Sequence, residues 1–438
     1  MLARDRYLPL ISRHLCSPGN KSAFPIDTSI ISTPDFLTQI KFKITAGLLN
    51  HGRCVMKYVV LGGTGMMGRI AVRDLFESDQ KNEIVIVSTD LVKARQAASK
   101  YNSQRVLASQ VDVKDLDALS ALLRDADVAI NCVQYYFNLN VMNGALKAGT
   151  HYVDLGGLYH LTLKQLKLDK KFRKEGLTAI LGMGSTPGIT NVLAAYGSRS
   201  FERIESIDIS FGAADFSRIE GRPFPIPYSL STLFDEFAMQ PVILQKGRIK
   251  GVAPLSGLKE INFPRPIGKK TAFYTLHSEL ATFPSSFKGV QDVTFRVSFD
   301  KEFVEKIIFL SDTGMASEKP VDYKGARIIP KEFLAKVVSL QKHPKIKKLD
   351  DYECLLLDMS GKKDGKRKRI QVGCIARSFP EWGASAGDVD TGTPPSIVAQ
   401  MIARGEIKER GVMPPEFHVP PERFFSELKK RRMRIFKR

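Results

Sequence analysis

The chain has few cysteines, few acids relative to bases, one tryptophan and no long apolar run, and each scarcity excludes something. Its five cysteines (Cys16, Cys54, Cys132, Cys354, Cys374) are far apart, odd in number and never paired as Cys-x-x-Cys. That pattern rules against a disulfide framework or a structural zinc, so no metal site and a reducing, cytoplasmic setting are expected. No stretch reaches the roughly 18 apolar residues that a membrane-crossing helix needs, so no membrane partner is expected. Acids number 46 against 66 bases, a formal charge of +20. Much of that excess sits in "GKKDGKRKR" (361–369) and "KKRRMRIFKR" (429–438). The first lies between two strand-like runs and reads as a hairpin loop, the second as a solvated tail. No aromatic-interleaved basic motif accompanies them, so no nucleic-acid partner is expected. Residues 1–55 show no sustained period. They read as a leader outside the fold, either ahead of a true start at Met56 or a targeting segment.

From Met56 onward strands and helices alternate. "KYVVLGG", "EIVIVST", "RVLASQVDV", "ADVAINCV", "HYVDLGG" and "LTAILGMG" are strands, with amphipathic helices between them. Such alternation over roughly 130 residues predicts an α/β, doubly wound parallel sheet. The middle reads differently. "RIESIDISFGAAD", "VTFRVSFD", "EKIIFLSD", "YECLLLDMS" and "RIQVGCIAR" alternate apolar and polar residues, as half-buried antiparallel strands do. The expected plan is a dinucleotide-binding domain over 56–185, an α+β substrate and dimerisation domain over 186–385, and C-terminal helices over 386–438. Those last helices, "PPSIVAQMIARGEI" and "PERFFSELKKR", are each expected to open on proline.

The first strand runs into Gly62-Gly63-Thr64-Gly65-Met66-Met67-Gly68 and then a helix, the context in which a glycine pattern carries meaning. Read from Gly63 it is G-x-G-x-x-G; read from Gly62 it is G-x-x-G-x-x-G, the spacing of extended short-chain dehydrogenases. Either brings bare backbone to a pyrophosphate at a helix N-terminus. Short-chain chemistry also needs Tyr-x-x-x-Lys, and no tyrosine after the loop has a lysine four residues on. The second strand ends Val87-Ser88-Thr89-Asp90. Ser88 stands where an NAD enzyme usually has an acid, and Lys93 and Arg95 follow, which leans toward NADP while Asp90 keeps NAD open. Asp112, after the third strand, and Cys132, Val133 and Gln134, after the fourth, complete the expected cofactor contacts.

Several segments in order, "LGGTGMMGRIAVRDL", "NCVQYYFNLNVMNGALKAGTHYVDLGG", "ILGMGSTPGITNVLAAYG", "YSLSTLFDEF", "FYTLHSELATFP" and "GVMPPEFHVPPERFFSEL", together resemble the saccharopine dehydrogenase family. The resemblance spans nearly everything from Met56 onward. It implies a Rossmann domain, a substrate domain inserted after its main strands, and a C-terminal part that packs back on the first domain. It also implies NAD(P)-linked hydride transfer at an amine or imine carbon of an amino acid such as saccharopine or lysine. Related polyamine chemistry of the carboxynorspermidine type, and a dinucleotide-binding sensor without catalysis, are the alternatives. Saccharopine reductases carry Asp-Pro-Gly where this chain carries Thr186-Pro187-Gly188. A homodimer acting on a small amino-acid substrate is expected.

Hydride transfer needs orientation, a dry site and an acid/base group rather than a metal. Asp154, at the end of the fifth strand, is a candidate acid/base or amine-orienting group. His277 and Glu279 face one side if they lie on a strand, and suit proton exchange with an amine. Tyr135 is placed to reach a substrate. Thr186, Pro187, Gly188 and Asn191 form a strand-to-helix junction whose free amides suit a carboxylate. Tyr228, Asp235 and Glu236 are candidates to hold a substrate ammonium.

Overall fold

The computed structural model describes residues 55–220, 227–341 and 345–438, so the leader lies outside the described residues. The first sheet holds Lys57–Leu61 (β1), Glu83–Ser88 (β2), Val106–Gln110 (β3), Val128–Asn131 (β4), His151–Asp154 (β5) and Thr178–Ile180 (β6). A seventh strand, Gly411–Met413, joins from the C-terminal part. The order is 411–413, β6, β5, β4, β1, β2, β3, and every pairing is parallel. Strand order reverses between β1 and β4, and the crevice above that point is where such sheets take ligands. Alternate residues of each strand serve opposite faces. Val59, Leu61, Val85, Val87 and Ala129 pack on the side of helices Leu116–Leu123 and Asn138–Ala148. Tyr58, Val60, Ile84, Ile86 and Ile130 join the core shared with the second domain. Burial on both faces explains why these strands read as continuous apolar runs.

The second sheet has nine strands among the described residues. At its centre Arg203–Asp215 pairs antiparallel with Asp351–Lys363, which forms a hairpin with Lys366–Arg377. The hairpin turns at Asp364 and Gly365, both with positive φ, as a two-residue loop requires. Asp292–Val297 pairs with Arg203–Asp215 in parallel, against the antiparallel expectation. Three other readings are corrected. "EKIIFLSD" is helical, within Lys301–Asp312, because Phe303, Val304 and Ile307 recur at helical spacing and pack inward. The helix at 386–403 opens on Ser385, whose side chain and that of Asp388 form a capping box, so Pro394 and Pro395 fall inside it. The basic tail is not simply solvated. Arg431 is buried on Asp74 and Glu427, and Arg434–Lys437 is a strand of the second sheet.

The C-terminal part thus contributes to both sheets. Helix Ala386–Ala403 lies against the helix Met66–Ser78 that follows the glycine loop. Gly392 allows this: a Cβ there would sit 2.6 Å from Ile70 Cβ. This packing fixes the loop from behind.

Candidate active site

The loop is built from close approaches that only glycine permits. Gly62 has φ +72°, and a Cβ on it would lie 2.8 Å from the Cys132 carbonyl oxygen. A Cβ on Gly68 would lie 2.2 Å from the Gly62 oxygen. Gly65 caps the helix without any side-chain hydrogen bond, leaving first-turn amides to a ligand. Met66 is exposed and Met67 half-exposed beside it. Thr64 Oγ1 donates to Ser88 Oγ at 3.3 Å, and Asp90 N donates to the same oxygen at 3.2 Å. Asp90 is the N-cap of helix Leu91–Ser99, accepting from Lys93 N, and its carboxylate also pairs with Lys93 Nζ at 3.5 Å. Its carboxylate thus caps its own helix while the side chain stays exposed at the end of β2. A cavity of about 320 Å³ flanks the loop, lined in part by Gly63, Thr64, Arg69, Arg73 and Lys100. A glycine cradle, free helix amides, hydroxyls at the end of β2 and nearby cations fit a dinucleotide carrying a 2′-phosphate. Asp112 caps its own turn, accepting from Lys114 N at 3.0 Å. Cys132 backs Gly62 with its carbonyl, and burial pushes its thiol up to about 12. Val133 is tied to Asn131, whose Oδ1 accepts from its amide.

Past β4 the chain meets the second domain. Ser229 Oγ donates to Gln134 Oε1 at 3.0 Å, and Tyr135 OH donates to Asp235 Oδ2 at 2.9 Å. Asp235 is also paired with Lys331 at 2.6 Å. Next to Asp235 on helix Leu230–Ala238, Glu236 accepts from Tyr228 OH at 2.5 Å. Burial pushes the Glu236 carboxyl up to about 7, against the opposing pull of His277.

His277 and Glu279 do meet, although not on a strand as expected. The strand Lys269–Tyr274 has ended, His277 lies in the following loop, and Glu279 opens the helix Glu279–Ser286. Nδ1 of His277 is 2.5 Å from Glu279 Oε2, and Thr190 Oγ1 donates to Glu279 Oε1 at 2.8 Å. The ring stacks on Phe295 with centroids 3.8 Å apart. Burial works against the imidazolium, but the Glu279 carboxylate, and behind it Glu236, hold the ring's pKa above its ordinary value. Nδ1 is engaged, so Nε2 is the nitrogen left for a ligand.

Two expected groups are placed elsewhere. Asp154 is wholly buried and accepts from Gly156 N, Gly182 N, Tyr152 OH, Asn138 Nδ2 and Gln165 Nε2. Five donors fill its acceptor capacity, which makes it a clamp on the loops after β5 and β6 rather than a proton donor. The Thr186–Gly188 junction is also corrected. The helix begins at Ile189 with Gly188 as its cap, so Pro187 precedes the first turn. The Gly188 amide donates to Asn191 Oδ1, and Asn191 Nδ2 donates to Glu416 at 2.8 Å. Asn191 and the Gly188 amide are therefore spent on the fold. Thr186 stays half-buried beside the cleft, and Pro187 packs against Gly156 and Gly182. Motif reading did not name Thr190, which meets Glu279, Lys331, which meets Asp235, or the paired acids Glu353 and Asp390; Thr190 has nothing local to mark it beside Asn191, and distance along the chain hid the others.

A doubly wound sheet with this loop, joined to a second sheet across a cleft that holds a buried His–Glu pair, defines a dinucleotide-dependent oxidoreductase. Comparison with known proteins agrees. The saccharopine dehydrogenase NADP binding domain matches residues 58–180, and the saccharopine dehydrogenase C-terminal domain matches residues 184–433. The chain belongs to the saccharopine dehydrogenase family and is an NADP-binding oxidoreductase. It is 26% identical over 385 residues to carboxyaminopropylagmatine dehydrogenase of Synechocystis sp., covering 85% of this chain and 95% of that protein. It is 25% identical over 403 residues to carboxynorspermidine synthase of Vibrio cholerae, covering 85% and 94%. Apo saccharopine dehydrogenase (L-Glu forming) from Saccharomyces cerevisiae shares the fold, with TM-score 0.67 and 18% identity over 87% of this chain and 99% of that one.

Proposed function

We propose that the enzyme joins an amine to the carbonyl carbon of an amino-acid semialdehyde and reduces the resulting imine, with the amine partner carrying a further positive charge. The observation that carries this reading is an acidic wall of neighbouring buried groups. Glu236 lies near His277, Asp235 and Glu279, Tyr228 lies near Glu236 and Glu353, and Glu353 meets Asp390, while Lys331 is already paired with Asp235 and Glu318. Saccharopine itself carries three carboxylates and would be opposed by such a wall, whereas an amine-rich adduct is favoured. The names of the relatives from Synechocystis and Vibrio point the same way.

The roles follow from position. Condensation of the carbonyl with a primary amine forms C=N with loss of water. When bound, the NADP nicotinamide supplies a hydride to that carbon, or accepts one in reverse. His277 carries the proton for the nitrogen on Nε2, and Glu279, steadied by Thr190, orients the ring and stabilises its charged form. Glu236 and Tyr228 hold the ammonium side of the substrate. Tyr135 and Gln134 couple the cofactor loop to the helix bearing Glu236. Asp154 positions the loops beneath.

The test is NADPH consumption by the purified chain with an amino-acid semialdehyde, with and without diamines or agmatine. Consumption that requires the amine is expected. Reduction of the aldehyde alone, or tight NADPH binding with no turnover of any pair, would remove this reading, and the latter would favour a dinucleotide-binding sensor.

A further inference from the structure

Glu353 and Asp390 have no part in the proton relay, yet they are two carboxylates placed together at the edge of the same cleft. Glu353 comes from strand Asp351–Lys363 and leans on the first turn of helix Ala386–Ala403. It approaches closely because residue 387 is glycine; a Cβ there would be 2.6 Å from Glu353 Oε1. Asp390 lies one turn further along that helix and is wholly buried. Its Oδ1 accepts from Thr391 Oγ1 at 3.3 Å, while its Oδ2 has no partner among the described residues. Ser185 is 6% exposed and its hydroxyl faces Asp390, with no other partner among the described residues. Of the neighbouring acids, Asp388 pairs with Arg69 at 2.9 Å, while Asp351 accepts from Ala386 N at 2.7 Å through Oδ2 and its Oδ1 has no partner among the described residues. Burial followed by mutual repulsion raises Glu353 well above the carboxylate range, and burial raises Asp390. No cation is among the groups that act on them, so the two facing carboxyls favour sharing a proton, and an arriving cation would take that proton's place.

The cluster is continuous with the site. Ser185 follows β6 at the carboxyl ends of the parallel strands, and Tyr228, which donates to Glu236, also feels the charge of Glu353. The wall therefore runs from His277 through Glu236 and Tyr228 to Glu353 and Asp390. We infer that Glu353, Asp390 and Ser185 are the recognition site for the distal cationic nitrogen of the amine substrate, the end that does not react. Two carboxylates and a hydroxyl offer acceptors for the three N–H bonds of an ammonium, and a carboxylate pair equally meets the planar fork of a guanidinium. The shared chemistry is an alkyl cation, and the inference rests on the amine-joining reading above.

The full chain with NADPH and a semialdehyde is assayed with 1,4-diaminobutane, agmatine and butylamine, for wild type, Glu353→Gln, Asp390→Asn and Ser185→Ala. Wild type is expected to favour the dications over butylamine in kcat/KM. Glu353→Gln and Asp390→Asn are expected to reduce that preference roughly 10- to 100-fold, chiefly through KM, the loss typical of a charged hydrogen bond. Ser185→Ala is expected to reduce it less. Preference between diaminobutane and agmatine tells ammonium from guanidinium. If Asp390→Asn does not fold, Glu353→Gln carries the test, since its side chain is only half-buried. Wild-type preference retained in Glu353→Gln, with all amines turned over, overturns this inference alone. No turnover of any amine by wild type overturns the underlying reading with it.

Discussion

Replacing Glu279 by Gln keeps the shape of the relay and removes its charge. In the structure Glu279 is fully buried, touches His277 Nδ1 at 2.5 Å and accepts from Thr190 at 2.8 Å. Gln still accepts from Thr190 but cannot stabilise the imidazolium. A hydrogen bond to a charged group contributes about 1.5–3 kcal/mol, so kcat/KM should fall roughly 10- to 150-fold. The pH profile gives a sharper check. In the reductive direction His277 must be protonated, so the rate falls as pH rises through its pKa. Burial alone would lower that pKa; Glu279 and Glu236 hold it up. Loss of Glu279 therefore moves the alkaline limb to lower pH, while Glu236→Gln moves it the same way by less. The assay is kcat/KM for imine reduction across roughly pH 6 to 10 for the three proteins. An unchanged alkaline limb in Glu279→Gln would refute the relay, whatever the loss in rate, because a merely structural residue would lower activity without moving the limb.

Gly68→Ala should abolish tight NADPH binding, losing on the order of 100-fold or more in affinity, because the added Cβ sits 2.2 Å from the Gly62 oxygen; fluorescence titration measures it. Arg431→Ala leaves Asp74 buried without its 2.6 and 2.9 Å partners and should cost about 3–5 kcal/mol in chemical denaturation, against the small effect expected of a loose tail. Asp390 has a folded pKa raised to about 7 from an ordinary 3.8, so the folded chain binds the extra proton. Stability from this group is present below about pH 4 and lost as pH rises toward 7, and Asp390→Asn should flatten the fall in Tm across that window.

The parallel sheet and its cofactor loop were legible because both signals are local. Strand, glycine turn and helix are adjacent in sequence, and each buried strand spells its own apolar run. The second domain was less so. Lys301–Asp312 carries apolar residues dense enough to be taken for a strand, and the parallel partnership of Asp292–Val297 depends on where the chain returns. In the site, His277 and Glu279 were found for a geometric reason that did not hold, since a loop and a helix start bring them together instead. Asp154 was singled out by its strand-end position, but Gln165, Asn138 and Tyr152, which fill its lone pairs, lie elsewhere in the chain or two residues back on its own strand. Glu353 and Asp390 are 37 positions apart on a strand and a helix, and neither has a motif around it. Only the packing allowed by Gly387 shows that they share one end of the cleft.

The central claim is hydride transfer to a carbon that becomes bonded to nitrogen. Its most direct test is turnover with NADPH deuterated at the transferable nicotinamide position, an amino-acid semialdehyde and 1,4-diaminobutane or agmatine, with the product examined by NMR and mass spectrometry. One deuterium on the former aldehyde carbon, now attached to a secondary amine nitrogen, is the result expected. Deuterium on a carbinol carbon, or a product without deuterium, would contradict it.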